Sequence, residues 1–242
     1  MKSILEKVYD TVYPPRCPVC DGILYDKKSS KRPLICKECV GKIKFIDGDI
    51  CLKCGKLIED SEEEFCHDCI KKQFEFKRGV AAFAYSKEMK RSMYGFKYNN
   101  RREYGKFYAQ SIWDLRKEVI FGWDCDAIIP VPLHIKRQRK RGYNQAKVLA
   151  QYLESDLKLP IDDKILFRTK NTIPQKELET KGRKNNIDNA FQTTTNVVKY
   201  SKVILVDDIY TTGATINECA RVLKLAGVKE VYFVTACIGN GF

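Results

Sequence analysis

Long apolar runs are missing from this sequence. No stretch approaches roughly 18 uninterrupted apolar residues, so no membrane-spanning helix and no membrane insertion are expected. Met1 to Tyr13 has no unbroken apolar core, because Lys2, Glu6, Lys7 and Asp10 interrupt it. That argues against a secretory leader, and a cytoplasmic protein is expected. Histidine is scarce: His67 and His134 are the only two. Few ordinary candidates for a general base therefore exist. No G-x-x-x-x-G-K-S/T run occurs, which argues against an ATP-hydrolysing phosphate loop. No helix-turn-helix segment and no low-complexity tract is visible, and the only internal repeat is one of paired cysteines.

Cysteine is abundant instead. The chain has 11, and eight of them lie before residue 70 as Cys17/Cys20, Cys36/Cys39, Cys51/Cys54 and Cys66/Cys69. In a chain without export signals such clustering points to metal rather than to disulfides. Each pair is C-x-x-C, a spacing that lets a tight turn aim two thiolates at one ion. Tetrahedral zinc takes four, so eight ligands imply two structural zinc ions. Sequential pairing (17/20/36/39 and 51/54/66/69) and cross-braced pairing are both open. His67 sits inside the last pair and is expected to be exposed rather than a ligand. Cys125, Cys219 and Cys237 read as small buried hydrophobes.

Charge is uneven. Residues 1–78 hold 16 Lys/Arg against 14 Asp/Glu, whereas residues 79–242 hold 28 against 17. The C-terminal part therefore favours an anionic partner, either a phosphorylated small molecule or nucleic acid. Periodicity divides the chain further. Residues 1–15 read as an amphipathic helix stopped by Pro14-Pro15. Residues 16–70 are polar and Cys-punctuated, and 71–78 read as a linker. Residues 79–242 carry strand and helix patterns in alternation: strands at 79–85, 127–131, 203–206 and 230–238, helices at 87–97, 104–119, 143–154 and 214–226. The continuous apolar run Val203 to Val206 suits a parallel strand covered on both faces, so the fold class is α/β.

The most informative stretch is VILVDDIYTTGAT, residues 203–215. The strand is expected to end at Val206, with Asp207 and Asp208 at its carboxyl end, where ligands bind in open α/β sheets. A loop then opens a helix, and a helix N-terminus presents free amides and positive potential to a phosphate. Thr211, Thr212 and Thr215 add hydroxyls, Ala214 adds a backbone amide, and Gly213 permits close backbone approach. Two carboxylates beside a phosphate site would repel a bare anion. They make sense if the ligand carries hydroxyls next to its phosphate, as ribose 5-phosphate does.

Residues 203–215 resemble the signature of type I phosphoribosyltransferases. The whole chain resembles the ComF family of competence proteins, in which a Cys-pair N-terminus precedes this domain. FKYNNRRE (96–103), PVPLHIKRQRKRGYNQA (130–146) and PQKELETKGRKNNIDNAF (174–191) carry the narrower resemblance. It implies a phosphoribosyltransferase-like parallel sheet after a double zinc ribbon, with phosphoribosyl diphosphate and Mg²⁺ as ligands. It also implies a link to uptake of single-stranded DNA in natural transformation, beside a helicase partner. It supplies no acceptor.

By the same resemblance, Pro132 and Leu133 would lie in the loop that meets the diphosphate. Lys136, Arg137, Arg139, Lys140 and Arg141 follow, and would neutralise that diphosphate or grip a nucleic-acid backbone, with Tyr143 beside them for base stacking. Residues 174–191, with Arg183, resemble a loop that closes over the ligand. Phe96, Lys97, Tyr98, Arg101 and Arg102 are expected to border the same cleft, with the core as the alternative for Phe96 and Tyr98. Asp207 and Asp208 are the candidate catalytic pair if turnover occurs, Asp208 or the diphosphate itself taking the acceptor's proton. The competing class is a non-catalytic adapter that binds single-stranded DNA and a helicase and uses the phosphoribosyl site only for binding or sensing.

Overall fold

The computed structural model describes residues 12–24, 33–58, 62–170, 189–194 and 199–239. The helix expected at the N-terminus lies almost wholly outside them. Four parallel strands form the central sheet: β1 (Arg78–Ala84), β2 (Ala127–Pro130), β5 (Lys202–Tyr210) and β6 (Glu230–Ile238), in the order β1-β6-β5-β2. A separate antiparallel pair joins β3 (Leu166–Arg168) to β4 (Phe191–Thr193). The short helices α1 (Lys37–Val40) and α2 (His67–Lys71) belong to the Cys-rich segment. The others are α3 (Lys87–Tyr98), α4 (Tyr104–Phe121), α5 (Ile135–Arg141), α6 (Gln145–Leu157) and α7 (Ala214–Leu225).

Side chains alternate across the sheet with the two-residue period of extended chain. Ile204 and Val206 enter one core with α3, α4 and α6, while Val203 and Leu205 enter the other with α7. Caps set the helix starts. Ser86 accepts from the Met89 amide at 3.3 Å and Asn144 from the Ala146 amide at 3.0 Å.

Two expectations change. β5 does not stop at Val206 but continues through both acids to Tyr210, because β6 still pairs with it: Asp207 faces Thr235 and Tyr210 faces Ile238. β2 ends at Pro130, opposite Val206. Asp207 to Tyr210 therefore stand beyond the end of β2. Of residues 71–78, read as a linker, Lys71 ends α2, Arg78 opens β1, and Phe76 is fully buried, in a T-shaped contact with Phe233 at 4.9 Å.

Gly79 shows how close that packing is. A Cβ there would lie 2.0 Å from the Phe233 ring. Gly79→Ala is expected to lower stability by about 1–3 kcal/mol, seen as an earlier urea midpoint. An unchanged midpoint would mean that the buried ring yields without cost.

Candidate functional site

The cysteines form two closed groups, Cys17/Cys20/Cys36/Cys39 and Cys51/Cys54/Cys66/Cys69, with the sulfurs of each within 4.8 Å of one another. Pairing is thus sequential, not cross-braced. A tetrahedral ion with Zn–S bonds of about 2.3 Å holds its sulfurs about 3.8 Å apart. Cys20 and Cys36 sulfurs are 3.8 Å apart, and those of Cys54 and Cys66 are 3.6 Å apart. The donor sets fit two structural zinc ions.

Both sites are built alike. The Asp21 amide bonds to the Cys17 carbonyl and the Gly55 amide to the Cys51 carbonyl, each at 2.9 Å. Cys36 and Cys66 then stand in extended conformation just before α1 and α2. His67 is exposed and belongs to neither group. Cys219 and Cys237 are buried as expected, and Cys125 is half-buried.

The second centre is the carboxyl end of β5. The Asp208 amide donates to Asp207 Oδ1 at 2.8 Å, and Lys97 Nζ lies 2.9 Å from Asp208 Oδ2. Asp207 is half-buried. Loss of water and then the Asp208 charge push its carboxyl up to about 7, against the pull of its hydrogen bond, Lys97 and Arg168. Burial disfavours the Lys97 charge, but the two aspartates outweigh it and hold its pKa above the ordinary lysine value. Thr211 and Thr212 follow, and Gly213 turns the chain with φ +79° at the start of α7. Ala214 and Thr215 form its first turn.

Cations of α5 and β3 share the electrostatic environment of Asp207. Pro132 and Leu133 are half-buried in the segment that joins β2 to His134, which is itself extended. The basic run is not a loop but the helix α5, capped by the His134 side chain and closed by Gly142 at φ +79°. Lys136, Arg139 and Lys140 are exposed, and Arg137 and Arg141 are half-buried. Arg141 donates to Gln145 at 2.9 Å and to the Tyr98 hydroxyl at 3.1 Å. Arg168, from β3, is a site residue that the sequence did not single out. Burial and then the charges of Arg137 and, more weakly, Arg141 lower its pKa to about 10, while Asp207 opposes them. Four groups from α5, β3 and β5 thus share one electrostatic environment. No local pattern in the sequence marks Arg168.

Tyr143 is not available for stacking on a base. It is 6% exposed, its hydroxyl donates to the Phe96 carbonyl, and the Arg102 guanidinium covers its ring at 4.6 Å. Phe96 is core. Arg101 turns away to Asp21, at 2.9 Å. Of that segment Lys97 reaches the acids and Tyr98 stays exposed. Arg183, and nearly all of the segment 174–191, lie outside the described residues.

A raised folded-state pKa has a definite sign. The folded form binds a proton that the unfolded chain has lost, so this contribution weakens as pH rises from the ordinary carboxylate value through about 7. Asp207→Asn is therefore expected to raise stability by about 1–3 kcal/mol near pH 8, the gain shrinking towards pH 4. Thermal melts across that range would check it. A less stable variant near pH 8 would show that the surrounding cations favour the ionised carboxylate.

Comparison with known proteins agrees with this architecture. A double zinc ribbon domain matches residues 8–70, and a phosphoribosyl transferase domain matches residues 114–241. The chain is 32% identical to Competence protein F of Haemophilus influenzae, over 89% of this chain and 93% of that one. It is 29% identical to Competence protein ComFC of Bacillus subtilis, over 80% and 79%. It is also 29% identical to the DNA utilization protein YhgH of Escherichia coli strain K12, over 84% and 89%. With both domain matches in this order and such likeness along most of its length, the chain belongs to the ComF family.

Proposed function

We propose that this chain binds phosphoribosyl diphosphate with Mg²⁺ at the carboxyl end of β5 and works in the uptake or use of DNA. The observation that carries the first half is the abutment of two acids on a helix N-terminus rich in hydroxyls, with cations of α5 and β3 in the same electrostatic environment. Asp207 and Asp208 accept from the ribose 2′- and 3′-hydroxyls. The amides and hydroxyls of 211–215 take the 5′-phosphate. The chain leaving β2 at Pro132 and Leu133, with Arg137, Arg141 and Arg168, meets the diphosphate. Mg²⁺, when bound with the diphosphate, would offset its charge. In a transfer reaction the bond from C1 of the ribose to the diphosphate oxygen breaks, and a bond from C1 to the acceptor forms. The acceptor's proton passes to a carboxylate or to the departing diphosphate. Arginines fixed before reaction favour that departure electrostatically.

Calorimetry with phosphoribosyl diphosphate tests the site. Binding that requires Mg²⁺ is expected. Asp207→Asn with Asp208→Asn should weaken it about 100-fold or more, since two hydrogen bonds to charged acceptors are lost. No binding by the wild type would contradict the reading.

The DNA half rests on the relatives' names and on one surface feature. Tyr94 and Tyr98 are 56% and 49% exposed on α3, with ring centroids 5.0 Å apart. The Arg141 guanidinium lies over Tyr98 at 4.9 Å, and the exposed cations of α5 share its helix. Exposed aromatics beside cations suit the bases and backbone of a single strand. This supports a second reading, an adapter that holds a strand here and uses the phosphoribosyl site for sensing. Tyr94→Ala with Tyr98→Ala should weaken binding of a labelled oligothymidylate about 5- to 100-fold, and wild-type affinity should fall steeply with salt. Unchanged affinity in the variant would remove this surface from the account.

A further inference from the structure

We propose that the second zinc site is coupled to the phosphate loop: zinc on Cys51/Cys54/Cys66/Cys69 and a phosphate-bearing ligand on residues 211–215 strengthen each other's binding, and the first zinc site does not take part. The inference rests on the reading of that loop given above, and assigns Tyr210 and Phe74 as positioning residues.

The path is continuous. Gly55, next to Cys54, has φ +77° and no room for a side chain. A Cβ there would lie 2.7 Å from the Gly79 carbonyl oxygen and 3.0 Å from Val80 Cα. The Gly79 amide donates to the Lys53 carbonyl, inside the same Cys pair, at 2.9 Å. The second ribbon is thus fastened to β1 backbone to backbone. On its other side Gly79 meets the Phe233 ring. Phe233 stacks on Tyr210 with centroids 4.8 Å apart and planes 3° apart. Phe76 stands edge-on to both rings, and Phe74 stacks on Phe76 at 4.9 Å.

The path ends under the loop. A Cβ on Gly213 would lie 2.5 Å from the Tyr210 hydroxyl and 3.0 Å from the Phe74 ring. The backbone that would carry the phosphate therefore rests on these two side chains. The same segment is tied to α7, whose first turn follows Gly213. The Glu75 amide donates to Asn217 Oδ1 at 2.7 Å, and Lys224 pairs with Glu75 at 2.8 Å. Asp68, inside the last Cys pair, bridges Lys56 and Lys72 at 2.7 Å each and binds the ribbon to the start of this segment.

Coupling needs an element with two states. A ribbon supplies one, because a metal-held segment with little core of its own folds with its ion. Loss of the second ion would release Gly55 from Gly79 and free the segment that carries Phe74 and Phe76. Gly213 would then lose its support, and by linkage a ligand on the loop must hold the ion in return. The first ribbon packs on the opposite face of the sheet. Cys17 and Cys39 belong to the core with α3 and α4, and its Asp21 is held by Arg101 at 2.9 Å and Tyr104 at 2.6 Å.

The test uses the full two-zinc protein, a chelator, and ribose 5-phosphate without Mg²⁺. Zinc release is followed with a metal-sensitive dye, and freed cysteines are located by alkylation and mass spectrometry. Saturating ribose 5-phosphate should slow loss of one ion at least about fivefold, within the usual range of coupling. The protected cysteines should be Cys51, Cys54, Cys66 and Cys69. Phe74→Leu with Tyr210→Phe should keep both ions and cut the protection towards none. Binding of ribose 5-phosphate without protection, or with equal protection of both ions, would overturn the inference alone. Failure of ribose 5-phosphate to bind the two-zinc protein would overturn the reading of the loop and this inference with it.

Discussion

Asp207 and Asp208 sit side by side where β5 outruns β2, and bringing two negative charges out of water there governs what surrounds them. An isolated carboxylate in such a place is costly, and two neighbours raise the cost for each other. The structure answers with Lys97 on Asp208 and with the Asp208 amide on Asp207. Arg168 adds its field from β3. The balance is incomplete at Asp207, whose carboxyl stays well above the ordinary carboxylate range. Strain of this electrostatic kind marks sites kept for a ligand rather than for stability. A ligand that brings hydroxyl donors to these acids and a phosphate to the helix beside them relieves both.

The two ribbons are alike in themselves and unlike in their setting. Each repeats the same turn, the same C-x-x-C pairs and a short helix after the third cysteine. The first caps the face of the sheet that carries α3, α4 and α6, and the second caps the face that carries α7. Neither segment has the apolar mass for a core of its own, so metal binding supplies folding energy that the sheet then shares. Packing at interior density makes such neighbours mechanically dependent. The aromatic group Phe74, Phe76, Tyr210 and Phe233 is where that dependence reaches the site.

Much of this was legible in the sequence, and the gaps have physical causes. Four C-x-x-C pairs announce two ions, but spacing alone cannot decide which pairs meet; the three-dimensional path of the chain does. Val203 to Val206 reads as a buried strand, whereas its continuation through two aspartates does not, since Asp is a poor strand former. Its pairing with Thr235 and beyond overrides that preference. The helix α5 is hidden because a run of cations has no apolar period to reveal it. Lys97 pairs with Asp208, and Arg168 acts on Asp207 through its charge, both from elements far away in sequence, which no local pattern records. Tyr143 looks like a stacking platform beside basic residues, yet Arg102 already covers it.

The most direct measurement is the amide spectrum of the isotope-labelled protein during titration with phosphoribosyl diphosphate and Mg²⁺. The account predicts saturable shifts at Asp207, Asp208 and the amides of Thr211 to Thr215, with further shifts at Val131 and Leu133. Saturation with those amides unmoved, and shifts confined to α5 or to the first ribbon, would contradict it.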